Sequence, residues 1–201
     1  MRVRMKMKTT GSGRINTYQI CLVAMAVVIN IVGGQIALML RLPVYLDSIG
    51  TILTGAVLGP WFGMLPNLLS GIFMGMTVDI YSLYFAPVGM ITGIMSGILL
   101  HGESAGKPMK GRWIFLNGLG VSAPGTVMSA VINAVLFGGV TSSGSTVIVQ
   151  LLARTPLGLT GSIFAVQFLT DYTDRCTSIF AVSVILPLIS GELRRRISGG
   201  R

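Results

Sequence analysis

The chain has 201 residues, 52% of them apolar and only 10% charged, where a soluble domain carries about 25% charged residues. So few charges leave too little polar surface for a water-soluble fold of this size. The net charge of +9 would suit a nucleic-acid partner, but its distribution argues otherwise: the basic residues fall in blocks beside apolar runs, the pattern that orients membrane chains.

The first block is a basic head, with Arg2, Arg4, Lys6, Lys8 and Arg14 in residues 1–17. An uninterrupted apolar run from Tyr18 to Leu40 follows, long enough to cross a bilayer core of about 30 Å. It is too long for the apolar part of a signal peptide, and no convincing small-residue cleavage site follows it. Arg41, Pro43 and Asp47 mark its exit. The stretch from Leu46 to Met76 is too long for one span and breaks at Gly59-Pro60, which predicts helices over about 48–58 and 61–76. Both are short, so at least one is expected to tilt or insert partway. Asp79 and Tyr81 mark a turn, and a fourth span is expected over about 83–100.

The segment from His101 to Arg112 is the most hydrophilic loop and carries Lys107, Lys110 and Arg112. A fifth span is expected from Trp113 to Phe137. Gly138–Ser145 (GGVTSSGS) reads as a turn, and Thr146–Ala153 as a short helix before Pro156. The last apolar stretch, about 161–189, is interrupted by Asp171, Asp174 and Arg175. The expectation is an all-α membrane domain of six helices over 18–192, with basic tails at 1–17 and 193–201. Arg194, Arg195, Arg196 and Arg201 close the chain. Twelve of the fifteen basic residues then share one side, which puts both termini in the cytoplasm.

Chemistry is sparse. The one histidine, His101, and two cysteines, Cys21 and Cys176, form no zinc or disulfide pattern. No GxxxxGK[ST] loop, GxGxxG fingerprint or nucleophile elbow occurs. No catalytic set or metal ligand is therefore expected, and an intramembrane lipid enzyme lacks its machinery. The polar groups instead gather at one side. Arg41, Tyr45 and Asp47 follow the first span, Asp79, Tyr81 and Tyr84 the third, and Ser142 and Ser143 the fifth, while Asn67 lies within the third span. This set suits hydrogen bonding to a polar solute. Taken singly, each residue better fits a helix end at the headgroups; taken together, the three loops favour a site. Asp171 and Arg175 are four apart, the spacing of an ion pair on one helix face, and read either as a solute site or as a neutralised pair inside a bundle. Gly89, Gly93 and Gly97 form two overlapping GxxxG units, a flat face for a partner subunit or for internal packing.

Three stretches carry a resemblance. LPVYLDSIGTILTGAVLGPWFGMLPNLLSGIF (Leu42–Phe73), FAPVGMITGIMSGIL (Phe85–Leu99) and FGGVTSSGSTVIV (Phe137–Val149) resemble the substrate-binding S components of energy-coupling factor (ECF) transporters, a class of ABC transporter. Within that family the chain looks most like the cobalamin-specific kind. The resemblance implies that the chain binds a vitamin from outside and delivers it to a transmembrane coupling subunit driven by two ATP-binding subunits. No covalently bound cofactor is implied, and cobalamin would be the transported ligand. Pantothenate or a queuosine-type precursor is the alternative ligand, and a membrane sensor or scaffold the alternative class. The family's small-residue docking face on the first helix is reduced here to Ala24 and Val28, which leaves the glycines of the fourth span as a further docking candidate.

Overall fold

The computed structural model describes residues 16–102 and 111–189. Helix α1 spans Thr17–Met39, α2 Ile49–Leu58, α3 Pro60–Thr77, α4 Ile80–Tyr84, α5 Ala86–Leu100, α6 Gly111–Ile132, α7 Ser145–Leu152 and α8 Gly158–Ile185. A π-helical turn, Asn133–Phe137, extends α6, and a 3₁₀ turn, Leu186–Leu188, extends α8. No strand occurs among the described residues.

The start of α1 is written locally. Asn16 accepts from the Tyr18 N–H at 3.3 Å, while its own N–H donates to the Gln19 side chain at 3.1 Å. This reciprocal box satisfies N–H groups that the first turn leaves without partners. Leu22, Ala26, Asn30, Gly34 and Ala37 form the buried stripe of α1, at the three-to-four-residue spacing of one helix face.

Helix α2 is the centre of the bundle. It packs against α1, α3, α5 and α8, and every residue from Gly50 to Val57 is buried. Ile52, Leu53 and Ala56 join Leu22, Leu100, Val121, Ile179 and Val182 in the main apolar core. Gly59 ends α2 at φ +91°, a conformation that glycine adopts at no steric cost, and Pro60 opens α3 at the first helical position. The break expected at Gly59-Pro60 is therefore real.

Two helical segments, Thr17–Met39 and Gly111–Phe137, are long and apolar enough to cross a membrane, and α2 and α5 are shorter apolar helices. At ten residues α2 is about 15 Å long, half a bilayer core. The segment after Asp79, read from sequence as a turn, is the five-residue helix α4. Alongside the apolar core, many polar side chains are buried and many large apolar ones are exposed. Asn30, Thr51, Thr54, Thr92, Ser96, Gln167 and Ser178 are almost wholly inaccessible, while Trp61, Met39, Met76 and Leu188 are 75–81% exposed. Of the twelve basic residues grouped on one side by sequence, only Arg112 falls within the described residues; the others, with most of both tails, lie outside them.

Candidate functional site

The nine residues from Leu40 to Ser48 connect α1 to α2 and form one wall of a cavity. Arg41 (φ 48°) and Leu46 (φ 53°) both adopt left-handed backbone, which costs a non-glycine residue energy and persists only where neighbours hold it. The holding contacts come from distant helices. The Leu46 N–H donates to Asp174 Oδ1 at 2.7 Å, and Asn67 Nδ2 donates to the Asp47 carbonyl at 3.3 Å. Arg175 donates through Nη1 to Ser48 Oγ at 2.6 Å and through Nε to Thr92 Oγ1 at 3.2 Å. Gly33 of α1 lets the linker lie close, since a Cβ there would collide with the Leu46 carbonyl.

The cavity encloses about 90 Å³ and opens to the exterior. From α1 come Asn30, Gly34, Ala37 and Leu38; from the linker Leu42, Val44, Tyr45 and Asp47; from α3 Asn67, Ser70, Gly71 and Met74. Asp79, Tyr81, Ser82 and Phe85 close one side, and Thr141–Ser143 another. Asn30 also organises its neighbours, donating to Thr51 Oγ1 and accepting the Gly50 N–H, both at 2.8 Å. Asp79 Oδ2 accepts from Ser142 at 2.9 Å and from Ser82 at 3.2 Å, which ties the 141–143 loop to the start of α4. Phe137, at the end of the π turn, meets the rings of Tyr81, Tyr84 and Phe85 with centroids 4.8, 5.4 and 6.0 Å away, within the range of favourable aromatic pairs.

Two titratable groups of the linker are displaced from their ordinary range. Burial, reinforced by the negative charge of Asp171, pushes the Tyr45 hydroxyl up to about 12. It therefore keeps its proton at any working pH and donates it to Gln167 Oε1 at 3.3 Å. Burial also raises the Asp47 carboxyl, aided by Asp174 and opposed by Arg175.

The cavity gathers seven of the residues singled out by sequence: Tyr45, Asp47, Asn67, Asp79, Tyr81, Ser142 and Ser143. Four lie elsewhere. Arg41 is exposed beside the cavity, off its wall, and Tyr84 turns outward with its ring against Phe137. Asp171 and Arg175 are buried inside the bundle. They do not form the ion pair that their spacing suggests. Arg175 pairs with its chain neighbour Asp174, because Ser48 and Thr92 draw the guanidinium toward α2 and α5. Asp171 Oδ2 has no hydrogen-bond partner among the described residues.

The glycine face of α5 is internal, which removes it as a docking surface. Gly89 lies against the Asn67 side chain, Gly93 against the Gly63 carbonyl and Gly97 against Pro60, so the glycines set α5 down on α3. Ala24 and Val28 are exposed on α1. Asn30, Ser70, Phe85 and Phe137 belong to the cavity region but were not among the sequence candidates. Asn30 alone carried a signal, as a polar residue in the buried stripe of α1. Comparison with protein-family models, with curated proteins and with solved structures finds no match. Fold and site together define, among the described residues, a helical bundle with an open cavity of mixed polar and apolar lining beside the start of its central helix.

Proposed function

We propose that this chain is the substrate-binding membrane subunit of an ECF-type vitamin transporter and that the half-open cavity is its binding site. The observation that carries the reading is the convergence of seven dispersed polar and aromatic residues on that cavity, the arrangement expected of a pocket that orients a small polar molecule. The many exposed large apolar side chains support a chain immersed in lipid; six spans in the plasma membrane with both termini cytoplasmic are proposed from the sequence distribution of basic residues. Small and hydroxyl side chains at the helix contacts are what packing in lipid favours. Energy would come from a transmembrane coupling subunit and two ATP-binding subunits, since the sequence carries no nucleotide loop of its own.

Cobalamin is the proposed ligand, on the sequence resemblance. A corrinoid is larger than the cavity, so much of the ring would sit in the open mouth, beside Tyr81. The enclosed volume of about 90 Å³ is well below what surrounds a whole drug-sized molecule, and this favours a smaller micronutrient as the second reading.

The test is purification in mild detergent followed by mass spectrometry of retained small molecules, with uptake measured after co-expression with a coupling module. A retained corrinoid and ATP-dependent uptake support the first reading, and a retained smaller vitamin the second. ATP hydrolysis by the isolated chain, or a covalently modified lipid as product, would refute both.

A further inference from the structure

We propose that the cavity admits solutes presenting N–H donors or positive charge and turns away free carboxylates and phosphates. The inference rests on reading the cavity as a solute site and narrows the chemical class of its ligand.

The carboxyl groups that face the cavity are Asp79 from the start of α4 and Asp47 from the linker, the latter pushed up by burial; no Lys, Arg or His lines it among the described residues, Arg41 standing beside it. The nearest buried cation, Arg175, is engaged behind the linker by Asp174, Ser48 and Thr92. The neutral groups tilt the same way. Ser48 donates its hydroxyl proton to Asp47, and Ser82 and Ser142 donate theirs to Asp79. Tyr45 donates to Gln167 and Asn67 to the linker backbone. The wall's donors are thus largely engaged within the protein, while carboxylate and hydroxyl lone pairs remain to accept. A ligand that brings its own donors completes these bonds. An anionic ligand meets like charge and finds few donors, and unpaired polar groups in such a site weaken binding strongly. A solute rimmed with neutral amides fits this class; one carrying a free carboxylate, such as pantothenate, does not.

The field can be read without knowing the ligand. Val44→Cys places a thiol on the cavity wall, in a background with Cys21→Ser and Cys176→Ser, and Leu38→Cys gives a second reporter on α1. Each is reacted with a cationic and an anionic methanethiosulfonate of similar size, and the rate ratio is compared with that of a free thiol. The cationic reagent should be favoured by roughly tenfold, the lower end of what a single-sign cleft does to local concentration. Asp79→Asn should move the ratio toward the free-thiol value, and Asp47→Asn should move it less, because burial favours the neutral carboxyl there. An equal or reversed ratio overturns the inference, as does a ratio that both variants leave unchanged. So does a failure of either thiol to react with either reagent, which would mean that the cavity is closed to solutes. The ratio does not depend on transport, so failure of uptake would bear on the proposed function and leave this result standing.

Discussion

Leu46 donates its backbone N–H to Oδ1 of Asp174 at 2.7 Å, across 128 residues of chain. The bond joins a left-handed residue of the α1–α2 linker to the middle of α8. The other oxygen of Asp174 pairs with Arg175, which reaches Ser48 at the far end of the same linker. One carboxylate therefore fixes the stretch that carries Tyr45 and Asp47 to the cavity.

Removing that carboxylate should be costly. Asp174→Ala leaves a buried guanidinium without its partner and frees the strained linker, and should destabilise the protein by roughly 3–5 kcal/mol. Asp174→Asn keeps an oxygen for the Leu46 N–H and should lose less. Unfolding of the two detergent-purified variants would check this, with equal loss in both arguing that charge alone matters.

The glycines of α5 and the small residues of α1 should behave oppositely. Gly93→Ala drives a methyl into the Gly63 carbonyl and should destabilise by about 1–3 kcal/mol, the usual cost of overpacking. Ala24→Leu adds bulk to an exposed position and should leave stability unchanged. If the outer face of α1 docks on a coupling subunit, the same change should lower uptake and co-purification with that subunit.

The cavity tyrosines separate by position. Tyr45→Ala and Tyr81→Ala should weaken ligand binding by roughly 1–3 kcal/mol each, as for truncation of buried contact residues. Tyr84→Ala should have a smaller effect, because Tyr84 reaches the site only through Phe137. Titration calorimetry with the retained ligand would rank the three.

Orientation is tested by labelling intact cells with a membrane-impermeant thiol reagent. Ser142→Cys, at the exposed rim of the cavity, should react. Gly106→Cys, in the basic loop that lies outside the described residues, should not. The opposite labelling would reverse the arrangement of the termini.

Helix positions were legible wherever an apolar run met a strong breaker. Gly59-Pro60 divides α2 from α3 within a residue of the expected point, and the short helix expected after Ser145 is α7. Helix α4 escaped notice because five residues carry no periodicity. The loop residues of the cavity were legible as polar punctuation on one side of the chain. The Asp171–Arg175 pairing was misread because helix spacing describes one helix alone, while the direction of the guanidinium is set by Ser48 and Thr92 on other elements. The glycines of α5 failed as a docking face for a related reason. GxxxG reports that something approaches closely, and here that something is α3 of the same chain.

The π turn at Asn133–Phe137 has a consequence for how the sequence tolerates insertions and deletions. Such a turn fits about one residue more than an α-helical turn of the same height. Deleting a residue between Ala134 and Leu136 could be absorbed by reverting to α-helix, with no break in the backbone ladder. Whatever follows the deletion would then keep its place in space, and the polypeptide before it would supply a different side chain to each position of the turn. Phe137, which follows the deleted position, would keep its ring against Tyr81, Tyr84 and Phe85, so this corner tolerates the loss of one residue before it.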